Sequence, residues 1–266
     1  MAVADSGMTY VRHMPGSMCR RRRTAWISDK MCPMASAVIF DFYGTLAHWV
    51  DRHTSNYATV LAAHGYELSD NVLDAYFTRY DGVEHVVHST SEKVYEAWVR
   101  GRLCDLTSAC GVDAAHRESV IDALRASDQG TMMAYPEAAS TLHRLRQEGM
   151  AIGVCSNWGW ELDAFLRQVG LHELIDSSVT SARAGARKPH PLIYARSSES
   201  LGVDPREVVF VGDSWAPDVE GPRRAGMTAV HVWRQDEHSG QSPPELEEGD
   251  HRIEELSGLL GIFGMT

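Results

Sequence analysis

Four short apolar runs, at residues 37–40, 151–155, 208–211 and 228–232, constrain this chain more than any other feature. They are nearly unbroken rather than alternating, which is the pattern of strands buried on both faces of a parallel sheet. The stretches leading into the second and third runs carry helical spacing instead, through Ala138, Leu142 and Leu145 and through residues 192–201. Strands that alternate with helices predict an α/β fold built on a parallel sheet. The first three runs each stop at a polar cluster: Asp41, then Ser156 and Asn157, then Asp213 and Ser214. In an open α/β sheet ligands bind outside the carboxyl ends of the strands, so these clusters should converge on one crevice.

The chain between the first and second runs is far longer than one crossover helix needs, which predicts an inserted subdomain. Its signals are helical. Tyr57, Val60 and Leu61 run to Gly65; Ser69 can cap a face of Val72, Leu73, Tyr76, Phe77 and Tyr80; Asp113 can cap Val120, Ile121 and Leu124. The expected plan is a leader over 1–34, a core over 35–49 and 132–266, and a helical cap over 50–131. Residues 235–250 read as an acidic surface loop before a short closing helix at 253–260.

Composition narrows the partners. The 266 residues contain no apolar run near the roughly 20 that a bilayer crossing needs. The five cysteines, Cys19, Cys32, Cys104, Cys110 and Cys155, are odd in number and scattered, and no C-x-x-C occurs among them. Neither a disulfide framework nor a zinc cluster is expected, and a reducing cytoplasm fits. A net charge of −11 repels nucleic acid and acidic membranes, so neither is an expected partner. Residues 1–34 run against this balance with a net +4, concentrated in Arg20, Arg21, Arg22 and Arg23. No apolar signal-peptide segment follows them; they read as a solvated tail, and translation is expected to start near Met31 or Met34.

The strand-end clusters carry the chemistry. Asp41-Phe42-Tyr43-Gly44-Thr45-Leu46 places a carboxylate at a strand end, then a glycine where the chain must turn sharply. A carboxylate there can act as a nucleophile or a metal ligand. Asp213 and Asp218 add two more at the end of the third run and the mouth of the next helix. If the three meet, each pair about 4 Å apart repels by about 4 kcal/mol at an effective dielectric of 20. A divalent cation and one lysine would compensate them, and all-oxygen ligands favour Mg²⁺ over zinc. Lys188, in Arg187-Lys188-Pro189-His190-Pro191, is the candidate, because the chain has only Lys30, Lys93 and Lys188 against 22 arginines. Ser156 and Asn157 stand where a helix begins, a ready anion site.

Together these four clusters resemble the haloacid dehalogenase superfamily, whose motifs run in this order; the likeness covers residues 35–234. The resemblance implies a doubly wound, Rossmann-like core with a helical cap inserted after the first motif, and a covalent aspartyl intermediate. It implies Asp41 as nucleophile and metal ligand, Thr45, Ser156 and Asn157 on the substrate, Lys188 neutralising charge, and Asp213 and Asp218 completing a Mg²⁺ site. In the family's phosphatases a second aspartate, two residues after the nucleophile, protonates the leaving group and lends its carbonyl to the metal. Tyr43 stands there in this chain. Its carbonyl can still serve the metal, but phenols as a class are poor proton donors at neutral pH.

Two enzyme readings therefore compete. The family's 2-haloacid dehalogenases resemble the first motif as it stands here, and halide leaves without a proton. They work without metal and carry a neutral residue where Asp213 stands, and an uncompensated buried carboxylate would cost several kcal/mol. Asp213 thus favours an Mg²⁺-dependent phosphatase acting on a small metabolite such as a sugar or cyclitol phosphate. A relative that binds a phosphorylated ligand without turnover is the third reading. Candidate replacement proton donors are His48 and His53 and, in the cap, Asp81, Glu84, His85 and His88. Lys93 is expected to be a solvated helix lysine paired to Glu96. Trp49, Trp158, Trp160 and Trp215 either wall a pocket that stacks on a ring or fill the interface between cap and core.

Overall fold

The computed structural model describes residues 35–50, 54–80, 91–127, 130–237, 240–247 and 249–265. The expected leader and its start site lie outside these residues, as do His53, Asp81, Glu84, His85 and His88.

Strand β1 (Ala37–Phe40) is buried throughout, and its period of two feeds two cores. Val38 and Phe40 join Leu142, Leu145, Val209 and Val211 on one face of the sheet, and Ala37 and Ile39 join Ile193, Tyr194 and Phe210 on the other. After a tight turn, β2 (Ala47–Trp49) leads into the insertion, which carries α1 (Thr54–Ala63), α2 (Asp70–Tyr80), α3 (Glu92–Ala109) and α4 (Arg117–Ser127). These helices enclose an apolar cluster of their own around Leu61, Leu103, Leu106, Val120, Ile121 and Leu124. Ser91 starts α3 by accepting from Val94 N at 3.3 Å. β3 (Met132–Ala134) then returns antiparallel to β2.

The rest of the chain alternates. In order come α5 (Ala138–Gln147), β4 (Ala151–Ser156), α6 (Leu162–Gln168), β5 (Ser177–Thr180), α7 (Ser181–Ala184) and α8 (Pro191–Leu201). They are followed by β6 (Val208–Gly212), a wide turn at Trp215–Glu220, α9 (Gly221–Arg224), β7 (Thr228–Val232), β8 (His251–Ile253) and α10 (Gly258–Ile262). The main sheet has six parallel strands in the order β5-β4-β1-β6-β7-β8, a doubly wound α/β core with β1 at its centre.

Two of the six strands escaped the sequence reading. β5 is Ser-Ser-Val-Thr at one edge, too polar to stand out as an apolar run. β8 corrects the closing helix expected at 253–260: residues 251–253 pair with β7, and the helix shrinks to Gly258–Ile262. His-Arg-Ile has no strand signature of its own; the open edge of β7 recruits it. No helix among the described residues is long and apolar enough to cross a membrane.

Candidate active site

Sheet register builds the centre. Phe40 lies between Val154 of β4 and Val211 of β6, and Asp41 N donates to Val211 O at 2.9 Å. Ser156 and Asp213, each two residues beyond those partners, therefore flank Asp41 at the carboxyl edge. The turn after β6 brings Asp218 back to the same point, and one carboxylate oxygen from each of Asp41, Asp213 and Asp218 lies within 4.8 Å of the others.

Lys188 reaches this cluster from the loop before α8. Its Nζ donates to Asp41 Oδ1 at 2.8 Å and to Asp218 Oδ1 at 2.6 Å, and Lys188 and Asp218 are only 4% and 1% exposed. Burial works against the lysine charge, but the two carboxylates outweigh it and hold the ammonium well above its usual range. Burial, with the neighbouring Asp41 adding to it, raises Asp213 and Asp218 above the usual carboxylate range, so their anions are poorly supported without further positive charge. Cys155, next to Ser156, is pushed up to about 11, chiefly by burial, which removes it as a competing nucleophile.

Close approach of backbone makes the cluster possible. Gly44 adopts φ +82°, and a Cβ there would sit 2.7 Å from the Asp213 carboxyl carbon. Gly212 likewise leaves the space that the Asp218 side chain fills. Ser214 N donates to Asp218 Oδ2 at 3.0 Å, and Thr45 Oγ1 donates to Asp213 Oδ1 at 3.0 Å. Thr45, expected on the substrate, thus faces the carboxylate cluster. Asn157 is also engaged within the protein: Oδ1 accepts from Lys188 N at 2.7 Å and Nδ2 donates to Lys188 O at 3.1 Å. It clamps the segment that carries the lysine. Ser156 is buried at the end of β4, and Tyr43 is 38% exposed at the rim.

The sequence reading overlooked a supporting layer. Arg252 Nε on β8 donates to His231 Nδ1 at 3.2 Å, which puts the ring proton on Nε2, and Nε2 donates to the Asp213 carbonyl at 2.9 Å. Arg234, buried beneath the first turn, donates to Thr45 O at 3.2 Å, pairs with Glu137 at 2.8 Å and lies 3.5 Å over the Tyr135 ring. A lone histidine inside the apolar β7 was the one available signal for the first of these contacts.

A cavity of about 560 Å³ opens beside the cluster, between the insertion and the end of β4. Trp49 and Trp158 line it, stacked at 5.9 Å. The other two tryptophans singled out in the sequence serve elsewhere. Trp160 lies under Arg183 at 5.6 Å, and Trp215 packs on His231 at 5.4 Å. Glu96 also lines the cavity and pairs with Arg125, not with the exposed Lys93 as expected. His48 sits on β2, 5.0 Å from the Tyr135 ring.

A carboxylate triad with one ammonium lies at the carboxyl edge of a doubly wound sheet, in a chain that carries a helical insertion after β2. Residues 35–226 match the family described as haloacid dehalogenase-like hydrolases. The chain belongs to that family. Among relatives of this haloacid dehalogenase-like hydrolase, a glyceraldehyde 3-phosphate phosphatase from Methanopyrus kandleri is 36% identical over 38% of this chain and 43% of its own length. An (S)-2-haloacid dehalogenase 4A from Burkholderia cepacia is 35% identical over 50% of this chain and 56% of its own. The chain thus spans about half the length of these curated relatives. In fold it is similar to a haloacid dehalogenase-type phosphatase from Thermococcus onnurineus, at a TM-score of 0.59 and 24% identity over 86% of this chain and 98% of the other. The donor set fits a hard divalent cation such as Mg²⁺: three carboxylates, all oxygen and two of them buried, converge beside one lysine.

Proposed function

We propose that the protein is a Mg²⁺-dependent phosphatase that hydrolyses a small-molecule phosphate monoester in the cytoplasm, with residues 50–131 as its cap. The acidic triad carries this reading. Asp41, Asp213 and Asp218 keep a net charge of −2 after Lys188 is counted, which is costly to bury alone and is matched by one divalent cation. Asp41, Asp213 and Asp218, with the Tyr43 carbonyl, would hold Mg²⁺. When bound, it supplies neutralisation of the charge on the transferring phosphoryl oxygens.

The side chains do the remainder. Lys188 occupies Asp41 Oδ1, which leaves Oδ2 to attack phosphorus. The bond from phosphorus to the leaving oxygen breaks as the aspartyl phosphate forms; water then attacks phosphorus and releases inorganic phosphate, restoring the carboxylate. Ser156 binds a phosphoryl oxygen, while Thr45 and Asn157 hold Asp213 and Lys188 in place for the same group.

Tyr43 favours a second reading. Halide departs without a proton, so attack by Asp41 on the carbon of a 2-haloacid would tolerate a tyrosine there. Two measurements separate them: turnover of p-nitrophenyl phosphate that EDTA abolishes and Mg²⁺ restores, and halide release from 2-chloropropionate. Halide release that persists in EDTA, with no phosphate ester turned over, would overturn the phosphatase. Binding of phosphate without any turnover, unaltered in Asp41→Asn, would point to a non-catalytic relative.

A further inference from the structure

The cavity beside the centre is rich in rings. Seven of its seventeen lining residues are aromatic, in a chain that is 8% aromatic overall. Trp49, Trp158 and Phe165 meet one another at 5.3–5.9 Å on the core side. Tyr57, Tyr76 and Phe77 face them from α1 and α2. This wall is continuous with the nucleophile's own turn: Phe42, the residue after Asp41, meets Trp158 edge-on at 5.4 Å. Asn157, whose amide clamps Lys188, lines the same space. Asn157 and Trp158 thus join the cavity to the centre, and a phosphoryl group at Asp41 would turn its leaving group toward these rings. About 560 Å³ is also the size of pocket that holds a drug-sized ligand, and a three-carbon leaving group would leave much of it unfilled.

A second observation concerns the proton. The carboxylates at the centre are the attacking Asp41 and the Asp213 and Asp218 pair, and the Lys188 ammonium is donated to two of them. The position two residues past Asp41 offers a phenol rather than a carboxyl group. Among the described residues at the centre, then, no carboxyl group is left to protonate the leaving oxygen, which suits a leaving group that departs as an anion and takes its proton from water. Phenols, titrating near 10, do this readily; aliphatic alcohols, close to water at 15.7, do not.

Resting on the phosphatase function proposed above, we infer that the substrate is an aryl phosphate, a monoester whose leaving group is an aromatic alcohol seated between Trp158 and the rings of the cap. Asp41 attacks phosphorus, the phosphorus–oxygen bond breaks with its electron pair going to the phenolate, and water protonates the phenolate.

The test compares kcat/KM for phenyl phosphate and substituted phenyl phosphates with that for glycerol 3-phosphate and glucose 6-phosphate, all with Mg²⁺. Positioned acid catalysis contributes about 10²- to 10⁴-fold, so aryl esters should lead by roughly 10²-fold or more, with rates rising as the leaving phenol becomes more acidic. Tyr43→Asp should narrow that lead by accelerating the alkyl esters. Phe77→Ala, at a side chain that is 38% exposed and cheap to truncate, should raise KM for aryl esters about two- to tenfold. Phenylphosphonate, which is not hydrolysed, should quench tryptophan emission in wild type at lower concentration than methylphosphonate does. Alkyl esters turned over as well as aryl esters, or equal binding of the two phosphonates, would overturn the aryl assignment and leave the phosphatase intact. Halide release with no ester hydrolysed would overturn both.

Discussion

Replacing Lys188 with methionine removes the only cation within hydrogen-bond distance of the buried carboxylates among the described residues. Nζ lies 2.8 Å from Asp41 and 2.6 Å from Asp218, so at an effective dielectric of 20 each attraction is about 6 kcal/mol before desolvation is subtracted. Removing one partner of a buried pair typically leaves a net loss of about 3–5 kcal/mol, because the surviving charges have nothing to replace it. At roughly 2–4 °C per kcal/mol, Lys188→Met should lower Tm by about 6–20 °C in EDTA at pH 8. The loss is electrostatic rather than a packing defect, since methionine keeps most of the apolar stem. Lys188→Met combined with Asp218→Asn brings the cluster back to its original net charge and should recover much of the stability, a clear departure from additivity. Calorimetry or urea unfolding of the four proteins measures the coupling. A single-variant loss below about 1 kcal/mol, or additive losses in the double variant, would refute the charge balance on which the proposed chemistry rests.

Other outcomes follow from the same geometry. Mg²⁺ at 100 times its Kd should stabilise the wild type by about 2.7 kcal/mol, and Asp213→Asn should abolish most of that gain; an equal Mg²⁺-dependent shift in both proteins would remove Asp213 from the cation site. Gly44→Ala meets both a positive φ and a carboxyl carbon 2.7 Å away, so it should cost about 1–3 kcal/mol and weaken Mg²⁺ binding together, and wild-type values in a thermal-shift titration would contradict the close approach. Burial raises Asp213 and Asp218, so without metal the folded chain holds protons there that the unfolded chain, with aspartates near 3.9, has released. These two groups therefore favour the folded state more as pH falls from neutrality toward 4, and less as it rises. Urea unfolding in EDTA should show wild type gaining on Asp218→Asn across that window; a pH-independent difference would argue against the raised carboxylates.

How much of this was legible along the chain depended on whether the signal is local. β1, β4, β6 and β7 announce themselves because a strand buried on both faces must be apolar at nearly every position, and α8 because helical spacing runs through residues 192–201 behind Pro191. Asp41, Lys188, Asp213 and Asp218 stood out because charged residues at strand ends and beside a proline-started helix have few structural reasons to be there. β5 and β8 were invisible because an edge strand of three or four polar residues exists by pairing, not by pattern. The resemblance puts Thr45 and Asn157 on the substrate; the fold adds that Thr45 Oγ1 donates to Asp213 and that Asn157 bonds Lys188 through its oxygen and one N–H, contacts between distant segments that no local pattern carries.

Residue order alone thus established an α/β core on a parallel sheet, a helical insertion and three acids with one lysine, since hydrophobic period and charge placement are written one residue at a time. Which rings face one another was settled in space. Trp158 meets Phe42, Trp49 and Phe165 because β4, β1, β2 and α6 converge there, while Trp160 and Trp215, identical in chemistry, are carried elsewhere by the turns that hold them. The aromatic cavity and the clamp on Lys188 arise from contacts between segments far apart in the chain, and such contacts leave no periodic trace in any one of them.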